Sequence, residues 1–100
     1  MTQLSLPFAK SREQRWREFH LANPHVYTWI RDQALKLKAR GRHRYSARTL
    51  IEIYRWHVDA GTFDEHEDFK INDHYSAFYS RLLMRDVPEL AGFFETRGDD

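Results

Sequence analysis

Cysteine is absent from the sequence, which excludes disulfide bonds and thiolate metal ligands. No window approaches the roughly 18 apolar residues that a membrane-spanning helix needs. The first residues, MTQLSLPFAKSREQ, contain no basic region followed by a long apolar run, so we expect no secretory signal peptide. A chain without disulfides, membrane segments or an export signal is most simply a cytoplasmic protein.

Familiar catalytic motifs are also lacking: there is no glycine-rich phosphate loop, no nucleophile elbow and no structural-zinc spacing. Histidines and carboxylates crowd between His57 and His74, yet their spacing fits no tetrahedral site. Asp68-Phe69-Lys70 resembles half of the acidic-x-lysine signature of one large nuclease fold. That chemistry needs a second carboxylate on a neighbouring strand to hold magnesium, and the chain has too little strand to supply one. We therefore expect a non-enzyme with no metal and no cofactor.

Four stretches repeat apolar residues at the spacing of an α-helix, and each follows a capping signal. The predicted helices run over residues 12–22 after a Ser11–Gln14 capping box, from Pro24 to about Arg40, from Ser46 to Gly61, and from Asn72 to about Arg85. Gly41 is expected in the left-handed conformation after the second helix. The third helix is apolar around much of its circumference, which predicts a central position.

Shorter elements are predicted after the third and fourth helices. Residues 62–71 indicate a loop, in which Asp68–Ile71 would suit a short edge strand. Val87-Pro88-Glu89 begins a last helical turn, and Phe93-Phe94 suits an extended closing segment. The prediction is one mainly α, compact four- to five-helix domain over residues 11–97. A winged-helix or helix-turn-helix variant with a short strand or two stays open. A loose arm over residues 1–10 and a frayed tail over 98–100 flank the domain.

The net charge of +1 hides a segregation of the two signs. Residues 36–48, here named the basic segment, contain no acid and carry Lys36, Lys38, Arg40, Arg42, Arg44 and Arg48, with His43 among them. Residues 59–68, the acidic segment, contain no lysine or arginine and carry Asp59, Asp64, Glu65, Glu67 and Asp68. Such a dipolar distribution bears on partners more than the total charge does.

The basic segment has two interpretations. Cations in a helix's last turn oppose its dipole favourably, which explains Lys36, Lys38 and Arg40 without any ligand. The dipole disfavours Arg48 in the first turn of the next helix, and a residue that breaks a local rule is a candidate for function. We predict that nucleic acid, most simply duplex DNA, contacts Lys36, Lys38, Arg40, Arg42, Arg44, Ser46 and Arg48. The alternative is a solvated turn.

Phosphate contacts carry no sequence information, so a second element must contact the bases. The apolar stripe of the fourth helix leaves an outward face of His74, Ser76, Ala77, Ser80, Arg81, Met84 and Arg85. We predict that Lys70, Asn72, Arg81 and Arg85 lie nearest the bases. The same face also suits any solvated helix, and the gap of about ten residues before it exceeds the three or four of a short helix-turn-helix link.

Two long stretches carry a family resemblance. FHLANPHVYTWIRDQALKLKARGRHRYSARTLIEIYRWH and KINDHYSAFYSRLLMRDVPELAGFFETR, covering about residues 19–97, resemble a family of small phage- and prophage-encoded proteins. The resemblance implies a bacterial or phage cytoplasmic setting and brings no catalytic residue. Lys70 and Arg81 are the polar positions of the shared pattern that a core does not explain, which mildly favours binding there.

A protein partner is the second hypothesis for this chain. A small adaptor or inhibitor of a host or phage protein would use the charge segregation to steer association. Its anchor would be an exposed aromatic such as Trp29 or Trp56. The acidic segment would be a soluble loop, a surface that repels DNA, or a contact for a second copy. A homodimer is also conceivable, although no heptad pattern supports one.

Overall fold

The computed structural model describes residues 9–95. Four α-helices follow one another in this range: α1 (Arg12–Ala22), α2 (Pro24–Ala39), α3 (Ala47–Asp59) and α4 (Ser76–Asp86). Two 3-10 turns flank α4, at Asp73–Tyr75 and Pro88–Leu90. The mainly α prediction is therefore confirmed. The tail over 98–100 and most of the N-terminal arm lie outside the described residues.

Local capping chemistry explains where the helices begin. Ser11 and Gln14 form the expected capping box, in which the Gln14 amide donates to Ser11 Oγ over 3.1 Å. The Thr49 amide donates to Ser46 Oγ over 3.1 Å at the start of α3. Asn72 behaves differently from the prediction, because it caps the 3-10 turn ahead of α4 and not α4 itself.

The core lies between α2, α3 and α4, and Trp16 of α1 adds one large buried ring. Its other fully or nearly buried members are Val26, Ile30 and Ala34 of α2, Ala47, Leu50, Ile51 and Tyr54 of α3, Ile71 before α4, Tyr79 and Leu83 of α4, and Leu90, Phe93 and Phe94 beyond it. Because α3 contacts α2, α4 and the 3-10 turn before α4, its central position is confirmed. One side of α3 nevertheless stays open, where Ile53 and Trp56 are 37% and 61% exposed.

The link between α3 and α4 contains no strand. The edge strand considered for Asp68–Ile71 is wrong: Phe69 packs its ring against Phe19 and Tyr54, and Ile71 is buried. This part of the chain is held by side chains packed into the core and not by backbone hydrogen bonds to a neighbouring strand. Within residues 9–95 the one β-type contact is a parallel bridge between Tyr45 and Phe94, so no hairpin wing forms in that range. None of the helices in that range has both the length and the apolar character to cross a bilayer.

Candidate nucleic-acid interface

Gly41 ends α2 and turns the chain within the basic segment, whose Lys36 and Lys38 belong to the last turn of that helix. Gly41 has a φ of 99°, a left-handed conformation that favours glycine, as predicted. The Gly41 amide donates to the Lys38 carbonyl over 2.9 Å, and the Arg42 amide donates to the Leu37 carbonyl over 3.1 Å. This pair of bonds is the Schellman arrangement, which satisfies carbonyls that the helix end would otherwise leave open.

The far end of the basic segment is fastened to the chain's closing residues. The Tyr45 amide donates to the Phe93 carbonyl over 3.0 Å, and the Glu95 amide donates to the Tyr45 carbonyl over 2.9 Å. Phe93 and Phe94 are 3% and 2% exposed, so these bonds are anchored in the core. The backbone between Gly41 and Ser46 is thus held at both ends, which fixes where Arg42 and Arg44 leave the chain.

Four cations of this segment project into solvent without a carboxylate partner. Lys36, Arg40, Arg42 and Arg44 are all exposed, and none forms an ion pair among residues 9–95. The Arg42 guanidinium lies 5.9 Å from the centre of the Tyr45 ring, a cation–π contact that leaves its N–H donors available. These four side chains can each meet one phosphate.

Two other cations of the basic segment already have partners in the fold. Lys38 Nζ donates to the backbone carbonyl of Glu89. Arg48 lies 2.9 Å from Asp73 and 3.4 Å from Glu52. The inference that Arg48 is misplaced for stability is therefore incomplete, because Asp73, which is distant in sequence, supplies a carboxylate at the start of α3. Arg48 has a structural role whether or not it also contacts a ligand.

Lys70 and Asn72 lie in a hollow of about 730 Å³ beside the second half of α3. Arg55, Asp59 and Glu67 line the same hollow, so its charges are mixed. The Asn72 side-chain oxygen accepts a hydrogen bond from the His74 amide over 2.9 Å. Because Asp73 pairs with Arg48, Asn72 is next to the end of the basic segment.

Arg81 and Arg85 lie in a different place, a groove of about 510 Å³ between α1 and α4. The Arg81 guanidinium lies 5.2 Å from the centre of the Phe78 ring, and Arg85 pairs with Asp86 over 2.8 Å. Glu13, Trp16, Arg17, His20, Leu21, Phe78 and Leu82 complete the lining. No residue of the basic segment contributes to this groove, so the predicted base-reading arginines are not brought together with the predicted phosphate contacts.

The outward face predicted for α4 is wrong at Ser80. Ser80 is 2% exposed, and its hydroxyl donates to the Ala77 carbonyl over 2.9 Å. Counting apolar residues alone placed it outward, whereas a serine that bonds its own helix fits a buried face. Ala77 and Met84 are half-buried as well. The exposed surface of α4 is therefore centred on Arg81 and Arg85.

A buried carboxylate in the acidic segment was missed by sequence reasoning. The Glu65 side chain is only 9% exposed and accepts hydrogen bonds from His25 Nε2 over 2.7 Å and from the Tyr54 hydroxyl. Burial and this carboxylate together raise the pKa of Tyr54. No local signal distinguishes Glu65 from its acidic neighbours, because both partners come from distant helices. It ties the acidic segment to α2 and α3.

The histidines and carboxylates between His57 and His74 do not come together around one point in the structure. Within the described range, no three histidine, aspartate or glutamate side chains come close enough together to hold a metal ion. His57 lies 2.7 Å from Thr62 Oγ1 and stacks on the Phe63 ring. His66 Nδ1 accepts from the Asp68 amide over 3.1 Å. These histidines are accounted for by local contacts.

Comparison of the chain with protein-family models, with curated proteins and with solved structures finds no match.

Proposed function

We propose that this protein is a non-enzymatic nucleic-acid-binding protein that grips duplex DNA through Lys36, Arg40, Arg42 and Arg44. One observation carries the proposal: these four exposed cations have no carboxylate partner among residues 9–95, and they project from the end of α2 and from a turn whose backbone is held at both ends. A backbone that is fixed before binding lowers the entropy cost of binding. Each phosphate contact releases condensed counterions, which drives the association.

Base contacts would come from the residues nearest the basic segment. Asn72 is adjacent to Asp73 and hence to Arg48, and its amide group is suited to adenine edges. Arg81 and Arg85 would reach a duplex only if it also crossed the groove between α1 and α4. In a helix-turn-helix form of the proposal, α3 and α4 are the paired helices, joined by a link over residues 60–75 that is longer than usual and ends in the 3-10 turn. A wing would have to be supplied from outside residues 9–95.

The cellular setting follows from the resemblance to phage and prophage proteins. We place the protein in the bacterial cytoplasm, where duplex DNA is available. The lack of a cysteine agrees with a reducing compartment.

The test is fluorescence anisotropy with a random duplex of about 30 base pairs at about 50 mM salt, where phosphate contacts are strongest. Arg40→Ala/Arg44→Ala should weaken binding to every sequence alike. The matched control is Arg12→Ala/Arg15→Ala, which removes the same charge from exposed positions of α1 and should leave the affinity nearly unchanged. Binding that both double variants weaken equally would contradict a localised grip.

The adaptor or inhibitor alternative is favoured by one observation, the 61% exposure of Trp56. Trp29, the other proposed anchor, is half-buried against Tyr54 and Phe63 and is unsuited to that role. If the wild-type protein fails to bind DNA at about 50 mM salt, the polyanion proposal is refuted and this alternative takes its place.

A further inference from the structure

The exposed face of α3 carries four charges that alternate in sign along the helix: Arg48, Glu52, Arg55 and Asp59. Their spacings of four, three and four residues keep them in one stripe. Arg48 and Glu52 approach within 3.4 Å, whereas Arg55 and Asp59 take part in no ion pair in the described part of the chain. Only two of the four charges therefore have an ion-pair partner within this part of one molecule.

The order of these charges is unfavourable for an isolated helix. Arg48 stands in the first turn of α3 and Asp59 at its last residue, the reverse of what the helix dipole favours. In both i, i+4 pairs the base precedes the acid, which is the weaker arrangement. The stability of α3 alone therefore does not explain the pattern, and Asp73 compensates only Arg48.

The same order becomes favourable against a second copy of α3 that runs antiparallel. With a two-fold axis between residues 53 and 54, Arg48 lies opposite Asp59 of the second copy, and Glu52 lies opposite Arg55 of the second copy. Symmetry repeats both contacts. Each terminal charge then lies at the end of the other helix whose dipole attracts it. We propose that the protein forms a homodimer through antiparallel pairing of α3.

Trp56 lies beside the charged stripe near its centre, and Ile53 lies beyond Trp56, farther round the helix. Ile53 and Trp56 are 37% and 61% exposed, and both lie on the same side of α3. In the antiparallel arrangement Trp56 lies about 4 Å from the two-fold axis, measured along α3 at the usual helical rise. The two copies therefore bring their Trp56 rings together beside the ion pairs, which gives the interface an aromatic anchor.

The partner is a second copy of this chain, because the charges along the stripe are opposite to those of the same stripe running in the reverse direction. A two-fold interface requires that residue i contact j while j contacts i, and these four positions meet that condition at two pairs. The contact of Arg48 with Asp73 does not prevent it, since a guanidinium has five N–H donors. This inference does not depend on DNA binding, and its test uses the protein alone.

Sedimentation equilibrium of the full chain, without nucleic acid and at low salt, tests the pairing. Glu52→Arg and Arg55→Glu each place like charges opposite one another and should weaken self-association at least about tenfold, since both contacts are symmetric. An equimolar mixture of the two variants restores opposite charges at every contact and should form a heterodimer. Trp56→Ala should weaken the dimer by about a hundredfold or more, as loss of a central anchor in both copies does.

Arg15→Glu, on the exposed surface of α1, is the charge-matched control and should leave the dimer intact. All the substituted side chains are exposed, so we expect each variant to fold. Circular dichroism checks this. A wild-type chain that stays monomeric, or single variants that dimerise as well as the wild type, would overturn the proposal. So would single variants that stay monomeric when mixed, since only the antiparallel register predicts mutual rescue.

Discussion

The salt dependence of DNA binding measures how many cations of the basic segment contact phosphates. Six lysines and arginines occupy the basic segment. Lys38 is bonded to the Glu89 carbonyl and Arg48 to Asp73, which leaves four. At about 0.9 per phosphate contact, four contacts give a slope of log affinity against log salt near −3.6 per protomer, and six would give about −5.4.

The two slopes are easily separated by experiment. Between about 50 and 200 mM salt, the smaller slope lowers the affinity about 150-fold and the larger slope about 1,800-fold. Anisotropy titrations at several salt concentrations, with stoichiometry from sedimentation, give the slope per protomer. Arg40→Ala/Arg44→Ala should reduce it to about −1.8, a loss of only about 12-fold over the same range.

Arg12→Ala/Arg15→Ala should leave the wild-type slope as it is. A wild-type slope near −5.4 would show that Lys38 and Arg48 exchange their internal partners for phosphates, which would refute the division drawn from the structure. If replacing Arg40 and Arg44 leaves the slope unchanged, other residues make the phosphate contacts.

Three further outcomes follow from the fold. Arg48→Ala should destabilise the protein by up to about 1 kcal/mol in urea denaturation, because the pair with Asp73 is lost, without changing the salt slope. Phe94→Ala should cost about 3–5 kcal/mol and also weaken DNA binding, because this 2%-exposed ring holds the segment's anchor; normal binding by the folded variant would contradict that link. Burial lowers the pKa of His20 below its ordinary 6.5, against an opposing effect of Asp86. The unfolded chain then binds a proton at higher pH than the folded one, so stability should fall as pH drops below about 6.5, and His20→Phe should remove that part of the dependence.

The helices were predictable because their signals are local. Ser11, Ser46 and Gly41 act within four or five residues of their own positions, and the structure uses each of them as the sequence indicates. The link after α3 was not predictable in the same way. Its course depends on Phe69 reaching the rings of Phe19 and Tyr54, contacts that no capping or periodicity rule encodes.

The candidate site was predictable in composition but not in its division of roles. The run of cations is visible in the sequence, whereas the partners that occupy Lys38 and Arg48 come from Glu89 and Asp73, 51 and 25 residues away. Arg81 was expected to act together with the basic segment because phosphate contacts need a second element that contacts the bases. The structure instead places it beside α1, because Trp16 of α1 packs on Phe78 of α4.

These divided roles connect the grip with the proposed dimer. Lys38 fastens the start of the basic segment and Arg48 its end, which leaves the four cations between and before them for phosphates. In the antiparallel pair the two α3 N-termini lie at opposite ends, about 20 Å apart for a helix of this length. Each end then carries one complete set of four cations, so a dimer offers two separate backbone contacts to one duplex, as dimeric DNA-binding proteins do. Because Trp56→Ala weakens the pairing and changes no charge, that variant measures a single grip, and its difference from the wild type measures the second.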